Sequence, residues 1–298
     1  MKSRVVQVNL CVFVSGKFIQ RKGTDDGTSW KRTHHLRGDG HGLQIVGRSL
    51  VGACLVLIWS AVAGCGSRGD RGTPLESGRV APILLFNGTG ASHNDVAAVE
   101  TILTSNGLDY STVNSSQLNT MGEAEIGKHR LLIIPGGNFI DIGNGLTSST
   151  GATVRNAVQH GLNYLGICAG AFLAGDTIPN GLNLTSGVRF GFYAAEDRGI
   201  RKAAVAITIP GAATLDQYWE DGPQLAGWGT VVGTYPDGTP AVTEGRVGRG
   251  WVLLTGIHAE APETWRHGMT FSTSVSDDNA YAVTLVRAAL SGTPLSGR

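Results

Sequence analysis

From residue 80 onward the apolar and polar positions fall into blocks that alternate between two periods. Residues 80–86 form an unbroken apolar run, the pattern of a strand buried on both faces. His93–Ser105 places Val96, Val99, Ile102 and Leu103 at helical spacing, with Asp95 and Glu100 in the early turns where they suit the helix dipole. Residues 109–113 read as a short second strand, and Leu131–Ile134 as a third, stopped by Pro135-Gly136-Gly137. A helix over 150–160, a fourth buried strand over 162–167 and a helix beginning at Ala169–Ala174 follow. This alternation predicts a parallel sheet covered by helices. After Asp176 the pattern shifts to strands at 188–194, 203–209, 230–235, 240–244 and 251–255, separated by turn sequences such as Pro236-Asp237-Gly238. A helix over 277–290 closes the chain. No linker interrupts 79–292, which predicts one α/β domain with a β-rich second half and a short tail at 293–298.

The first quarter has a different character. Residues 50–63 carry no charge, follow Arg48 and end in small residues, the layout of a secretory signal and too short to span a bilayer comfortably. Val62-Ala63-Gly64-Cys65 resembles the bacterial lipobox, in which the Cys thiol takes a lipid and becomes the new N-terminus. Residues 46–64 are therefore expected to be a lipoprotein signal, Cys65 the lipidation site and membrane anchor, and residues 65–78 a flexible tether. Residues 1–45, basic and Gly-rich, are expected to be a non-native leader or a long n-region.

Composition sharpens this division. The whole chain has a formal net charge of +1, but residues 1–64 hold nine Lys and Arg against three Asp and Glu. The remainder holds fifteen against twenty, a net of −5, which argues against a nucleic-acid partner. Only Cys65 and Cys168 remain after the signal; with Cys65 lipidated, Cys168 is the one free thiol.

Cys168 stands in Gly166-Ile167-Cys168-Ala169-Gly170, between the fourth strand and a helix. That is the nucleophile-elbow spacing with Cys in place of Ser, and a Cβ at either glycine would strike the neighbouring strand or helix. The helix N-terminus favours a thiolate. Of the five His after the signal, His258 follows an apolar strand and has Glu260 two residues on to orient it. Gly136 and Gly137, ending the third strand, offer backbone N–H groups to a tetrahedral intermediate, with Ala169 as the further donor. Asn87 and Ser92 at the end of the first strand, and Tyr218, Trp219 and Glu220 in a Gly/Pro loop, are candidate substrate contacts.

Strand–Pro-Gly-Gly, Gly-x-Cys-x-Gly and His-x-Glu ninety residues after the Cys together resemble the class I glutamine amidotransferase-like superfamily. Within it, Asn87–Ser92, Ile134–Gly137, Tyr164–Phe172, Tyr218–Pro223 and Gly256–Glu260 look most like the biotin–protein ligase N-terminal domain family. The resemblance covers about residues 80–290 and implies a flavodoxin-like three-layer sandwich with a Cys168–His258–Glu260 triad. Glutaminases of the superfamily usually carry Gln four residues after the Cys; Phe172 stands there, a ring that offers no such hydrogen bond but can line the substrate site. The expected activity is hydrolysis of a carboxamide or amide, in a small molecule or peptide, through an acyl-cysteine, with no cofactor and no metal. The alternative is a non-catalytic binding or scaffold lipoprotein that keeps the fold.

Overall fold

The computed structural model describes residues 11–14, 17–20, 80–194 and 198–295. The chain divides into two units, 1–70 and 71–298. In the first, β1 (Cys11–Val14) and β2 (Lys17–Gln20) pair antiparallel. The signal segment, Cys65 and the tether lie outside the described residues, as does the rest of the leader. No helix among the described residues is long and apolar enough to cross a membrane.

The second unit is built on a seven-stranded sheet. Its strands are β3 (Ile83–Phe86), β4 (Tyr110–Val113), β5 (Leu131–Ile134), β6 (Asn163–Ile167), β11 (Thr230–Thr234), β12 (Pro240–Val247) and β13 (Gly250–Thr255). Their order is β11-β12-β13-β6-β5-β3-β4. The five strands from β13 to β4 are mutually parallel, and β12 and β11 extend the sheet antiparallel beyond β13. Counted in chain order, the parallel strands run 2-1-3-4-5, the flavodoxin-like winding.

Period-two alternation explains why the strands are apolar throughout. Ile83 and Leu85 enter one core with Val96, Val99, Ile102 and Leu103 of α1 (His93–Ser105). Leu84 and Phe86 enter the other, with Leu118 of α2 (Ser115–Thr120), Ile126 of α3 (Glu123–Ile126) and Ile142 of α4 (Phe139–Gly145). Val154 and Val158 of α5 (Ser148–Gln159) and Phe172 and Leu173 of α6 (Ala169–Ala174) complete that second layer. The closing helix α7 (Val275–Ser291) returns to the first, through Leu285 and Val286. It starts on a capping box made by Ser274 and Asp277 and ends at Gly292, whose φ of 66° is left-handed.

Several expectations are corrected. The strand expected over 188–194 shrinks to β7 (Gly191–Phe192), paired with β10 (Pro223–Gln224), and Tyr193 N–H extends the same register by donating to Gly222 O at 3.0 Å. Tyr218, Trp219 and Glu220 do not lie in a loop. They end β9 (Leu215–Glu220), which pairs antiparallel with β8 (Lys202–Ile207). The Gly222-Pro223 pair that suggested a loop begins only after the strand. Trp219 does not line a site mouth either: it is fully buried, edge-on to Tyr193 at 5.6 Å, with its Nε1–H donated to Gly222 O.

Candidate active site

The carboxyl ends of β3, β5, β6 and β13 bring the predicted chemistry together. Cys168 follows β6 with φ 46° and ψ −100°, an uncommon backbone state for any residue with a side chain. A conformation of this kind costs about 1–3 kcal/mol and persists only where its surroundings enforce it. Those surroundings are visible. Cys168 N–H donates to Thr255 O of β13 at 2.8 Å, while Ala171 and Phe172 N–H both return to Cys168 O. A Cβ on Gly166 would sit 2.6 Å from Gly170 O, and one on Gly170 only 2.0 Å from Ile134 O. The two glycines are thus required by the helix and by β5, as the spacing implied.

His258 is buried, and its backbone N–H donates to Tyr218 O at 2.8 Å, tying the end of β9 to the segment after β13. Tyr218 and Trp265 both pack edge-on against the imidazole, at 5.9 Å each. Glu260 Oε1 lies 3.0 Å from His258 Nδ1, the orienting contact expected of it. A second carboxylate, Asp95 Oδ1, lies at the same 3.0 Å from the same nitrogen. Asp95 is the functional residue the sequence reading missed; there it served only as an acidic group in the first turn of α1. Ser92 explains its position. Rather than facing a substrate, the Ser92 hydroxyl caps α1 by accepting Asp95 N–H at 3.3 Å.

One imidazole N–H between two buried carboxylates sets the electrostatics. Burial pushes the imidazole down, but Cys168, Asp95 and Glu260 together outweigh it and hold His258 well above its ordinary range. Burial pushes Asp95 up, yet attraction to His258 and the bonds from His258 and Ser92 bring it below the usual carboxylate range. Glu260 is pushed above that range by burial, with His258 opposing and the Asp95 charge adding to the rise. Asp95 is therefore the carboxylate that holds its charge more readily. The ligand atoms of these three residues lie within 4.8 Å of one another, a spacing compatible with a cation. Both nitrogen–oxygen contacts are 3.0 Å, but the one Nδ1–H is directed to Glu260 Oε1, and buried Asp95 Oδ1 keeps the ion-pair contact without a well-aligned hydrogen bond.

A stability prediction follows from His258. Its folded pKa lies above the unfolded value of 6.5, so the native state binds the extra proton between the two values. Its contribution is fully present below pH 6.5 and is lost as pH rises through the folded value. The urea midpoint should therefore fall from pH 6.5 upward, and His258→Gln should flatten that slope; an unchanged slope would refute the assignment.

The Pro-Gly-Gly turn has two separate functions. Gly136 makes room: a Cβ there would lie 2.0 Å from Asp95 Oδ1 and 2.6 Å from His258 Cε1. Gly137 stands opposite Ala91 in an antiparallel bridge whose hydrogen bonds are made by its neighbours, Ser92 N–H to Gly136 O and Asn138 N–H to Gly90 O. In such a non-hydrogen-bonded pair the central residue's own N–H points away from the partner. Gly137 N–H accordingly has no acceptor among the described residues. Ala169, first in α6, has no acceptor within its helix either.

The remaining candidates are placed as follows. Glu220 is exposed; its carbonyl accepts the Cys168 thiol at 3.5 Å, and its carboxylate accepts Tyr218 O–H at 2.5 Å. Asn87 is exposed and its N–H donates to Val113 O. Phe172 is buried and stacks on Phe139 at 4.5 Å, with Phe192 tilted at 4.9 Å, so it packs the second core rather than reaching a substrate.

Comparison with known proteins finds one family match and several similar solved structures. Residues 81–187 match the family model described as biotin-protein ligase, N terminal. No curated protein matches the chain. Among solved structures, the chain is similar to a glutamine amidotransferase at 20% identity and a TM-score of 0.48, covering 71% of this chain and 100% of that one. It is also similar to an exo-β-1,4-mannosidase of Opitutaceae bacterium strain TAV5, at 14% identity and a TM-score of 0.44, covering 69% of this chain and 36% of that one. A third is a β-galactosidase of Halorubrum lacusprofundi, at 15% identity and a TM-score of 0.42, covering 70% of this chain and 30% of that one. Residues 81–187, with Asp95, the Pro-Gly-Gly turn and Cys168 among them, thus match the biotin-protein ligase N-terminal family model and lie in a mostly parallel α/β fold wound 2-1-3-4-5.

Proposed function

We propose that the chain is an amidotransferase-type cysteine hydrolase acting on a carboxamide or amide bond. The observation that carries this reading is Cys168, held in a strained elbow beside an imidazole clamped by two carboxylates. In its neutral form His258 takes the thiol proton as Sγ bonds to the carbonyl carbon. The oxyanion meets the N–H groups of Gly137 and Ala169. Collapse breaks the C–N bond, and the leaving amine takes its proton from the imidazolium. Water, losing a proton to His258, then attacks the thioester and returns the thiol. Asp95 and Glu260 orient the ring and favour its protonated form.

The thiol is only 5% exposed and lies under the Glu220 carbonyl, so the end of β9 must shift to admit a substrate. This burial is also what favours the second reading, a binding or scaffold protein. The deciding experiment is the rate of iodoacetamide labelling of Cys168, with a panel of amides, in the wild-type chain and in His258→Ala. Slow, equal labelling in both chains would favour the binding protein.

We further propose export and lipid anchoring at Cys65, supported by the uncharged run 50–63 and the Val62–Cys65 motif. The expressed chain should partition into detergent, and Cys65→Ser should leave it in the aqueous phase. Equal partitioning of the two would overturn the anchor.

A further inference from the structure

A cleft of about 600 Å³ opens away from the site just described. Arg130 immediately precedes β5, His160 precedes β6, and Arg246, Arg249 and Trp251 flank the β12–β13 turn, with Glu123 of α3 also lining the cleft. These are the amino ends of the parallel strands, whereas Cys168 follows the carboxyl end of β6. The five residues of β6 separate the two by about 16 Å.

The cleft is rich in donors. Three guanidinium groups face one carboxylate, and that carboxylate is engaged by His160 Nδ1 at 2.5 Å. This excess of positive charge stands in a segment whose net charge is −5. Two of the arginines are already positioned. Arg249 donates to His160 O at 2.8 Å, and Arg246 lies over the Trp251 ring at 5.5 Å. Arg130 has no side-chain partner among the described residues. Independently of the arginines, Trp251 is more than nine-tenths buried on the cleft wall, and its Nε1–H finds no acceptor. A buried donor left unpaired costs about 1–3 kcal/mol, so an acceptor supplied by a ligand or by water is expected there.

We propose that this cleft binds a phosphate-bearing anion. Guanidinium forks match phosphate oxygens in charge and geometry, and a dianion matches the two charges left over when Glu123 is set against the three arginines. A free phosphate ester and the headgroup of an anionic phospholipid present the same chemistry.

The test uses the full chain and two probes: inorganic phosphate followed by calorimetry, and sedimentation with vesicles of phosphatidylglycerol or of phosphatidylcholine. Arg130→Gln/Arg246→Gln is the variant of choice, since both side chains are exposed and neither belongs to the catalytic cluster. An unchanged melting temperature verifies its fold. Phosphate binding weakened at least tenfold in the variant supports the proposal with a soluble ester as ligand. Binding to phosphatidylglycerol but not phosphatidylcholine, lost in the variant, supports it with a lipid headgroup. Absence of binding to both probes, or equal binding by both chains, overturns it.

Discussion

A His258→Ala chain is expected to lose amide turnover by about 10²–10⁴-fold, and its Cys168 to be alkylated at least tenfold more slowly. The loss is large because the imidazole is involved in every proton movement of the proposed cycle. It removes the thiol proton, gives one to the leaving amine and removes one from water. His258 is held well above its ordinary pKa against burial by Cys168, Asp95 and Glu260, so the four groups act as a coupled set. Single replacements of coupled groups do not add. Asp95→Asn and Glu260→Gln should each cost less than His258→Ala, because a carboxylate remains 3.0 Å from Nδ1 in either variant. The double replacement should approach the histidine deletion. Turnover and labelling measured over the four variants test this; a Glu260→Gln chain as inactive as His258→Ala, with Asp95→Asn normal, would remove Asp95 from the site.

The second large effect is expected of a single added methyl group. In Gly136→Ala, the new Cβ would lie 2.0 Å from Asp95 Oδ1 and 2.6 Å from His258 Cε1, distances no real Cβ keeps. Asp95 and His258 are both buried, so neither can swing into solvent to relieve the clash. Overpacking of this kind costs about 1–3 kcal/mol. The larger consequence is chemical: a displacement of 1 Å at a catalytic group can cost about 10²-fold. Gly122→Ala is the control, since a Cβ there meets nothing within 4 Å. Urea midpoints and turnover of the two variants, measured side by side, read out both effects. Normal turnover in Gly136→Ala would show that the Asp95–His258 contact is dispensable.

Much of this site could be read from the sequence because its signals are local. Gly166-Ile167-Cys168-Ala169-Gly170 states a steric requirement within five residues, and the fold meets it through Gly170 O and Ile134 O. His258 and Glu260 lie two residues apart after an apolar strand, so their meeting needed no knowledge of the tertiary fold. The boundaries of α1, β5 and α6 were equally legible from periodicity and their flanking residues. Asp95 was not, because an acidic residue in a first helical turn is already explained by the dipole. Only the 2-1-3-4-5 winding, which sets β3 and with it the start of α1 beside the end of β5, gives it a second function. Strand β9 was hidden by the Gly222-Pro223 punctuation after it and by its own mixed sequence, LDQYWE. Its placement depends on pairing with β8 and on the Tyr218–His258 bridge, both long-range facts. Helix α4 was missed for the opposite reason: Gly143 and Gly145 argue against a helix, and Asn138 caps it by accepting Ile140 and Asp141 N–H.

The hydrogen bond from Cys168 N–H to Thr255 O has a consequence for the order in which the protein becomes competent. The family-matched segment 81–187 contains the nucleophile but neither the strand that holds its backbone nor the base. As the chain emerges from the ribosome, Cys168 is made some ninety residues before His258. In that interval the elbow lacks Thr255 to enforce its strained φ, and the thiol lacks an imidazole to take its proton. The sheet can begin to assemble from β3 to β6, but Cys168 N–H gains its acceptor, Thr255 O, only when β13 docks alongside β6 as the fifth parallel strand. On the proposed mechanism, a chain in which β13 has not docked holds Cys168 without the rest of its site.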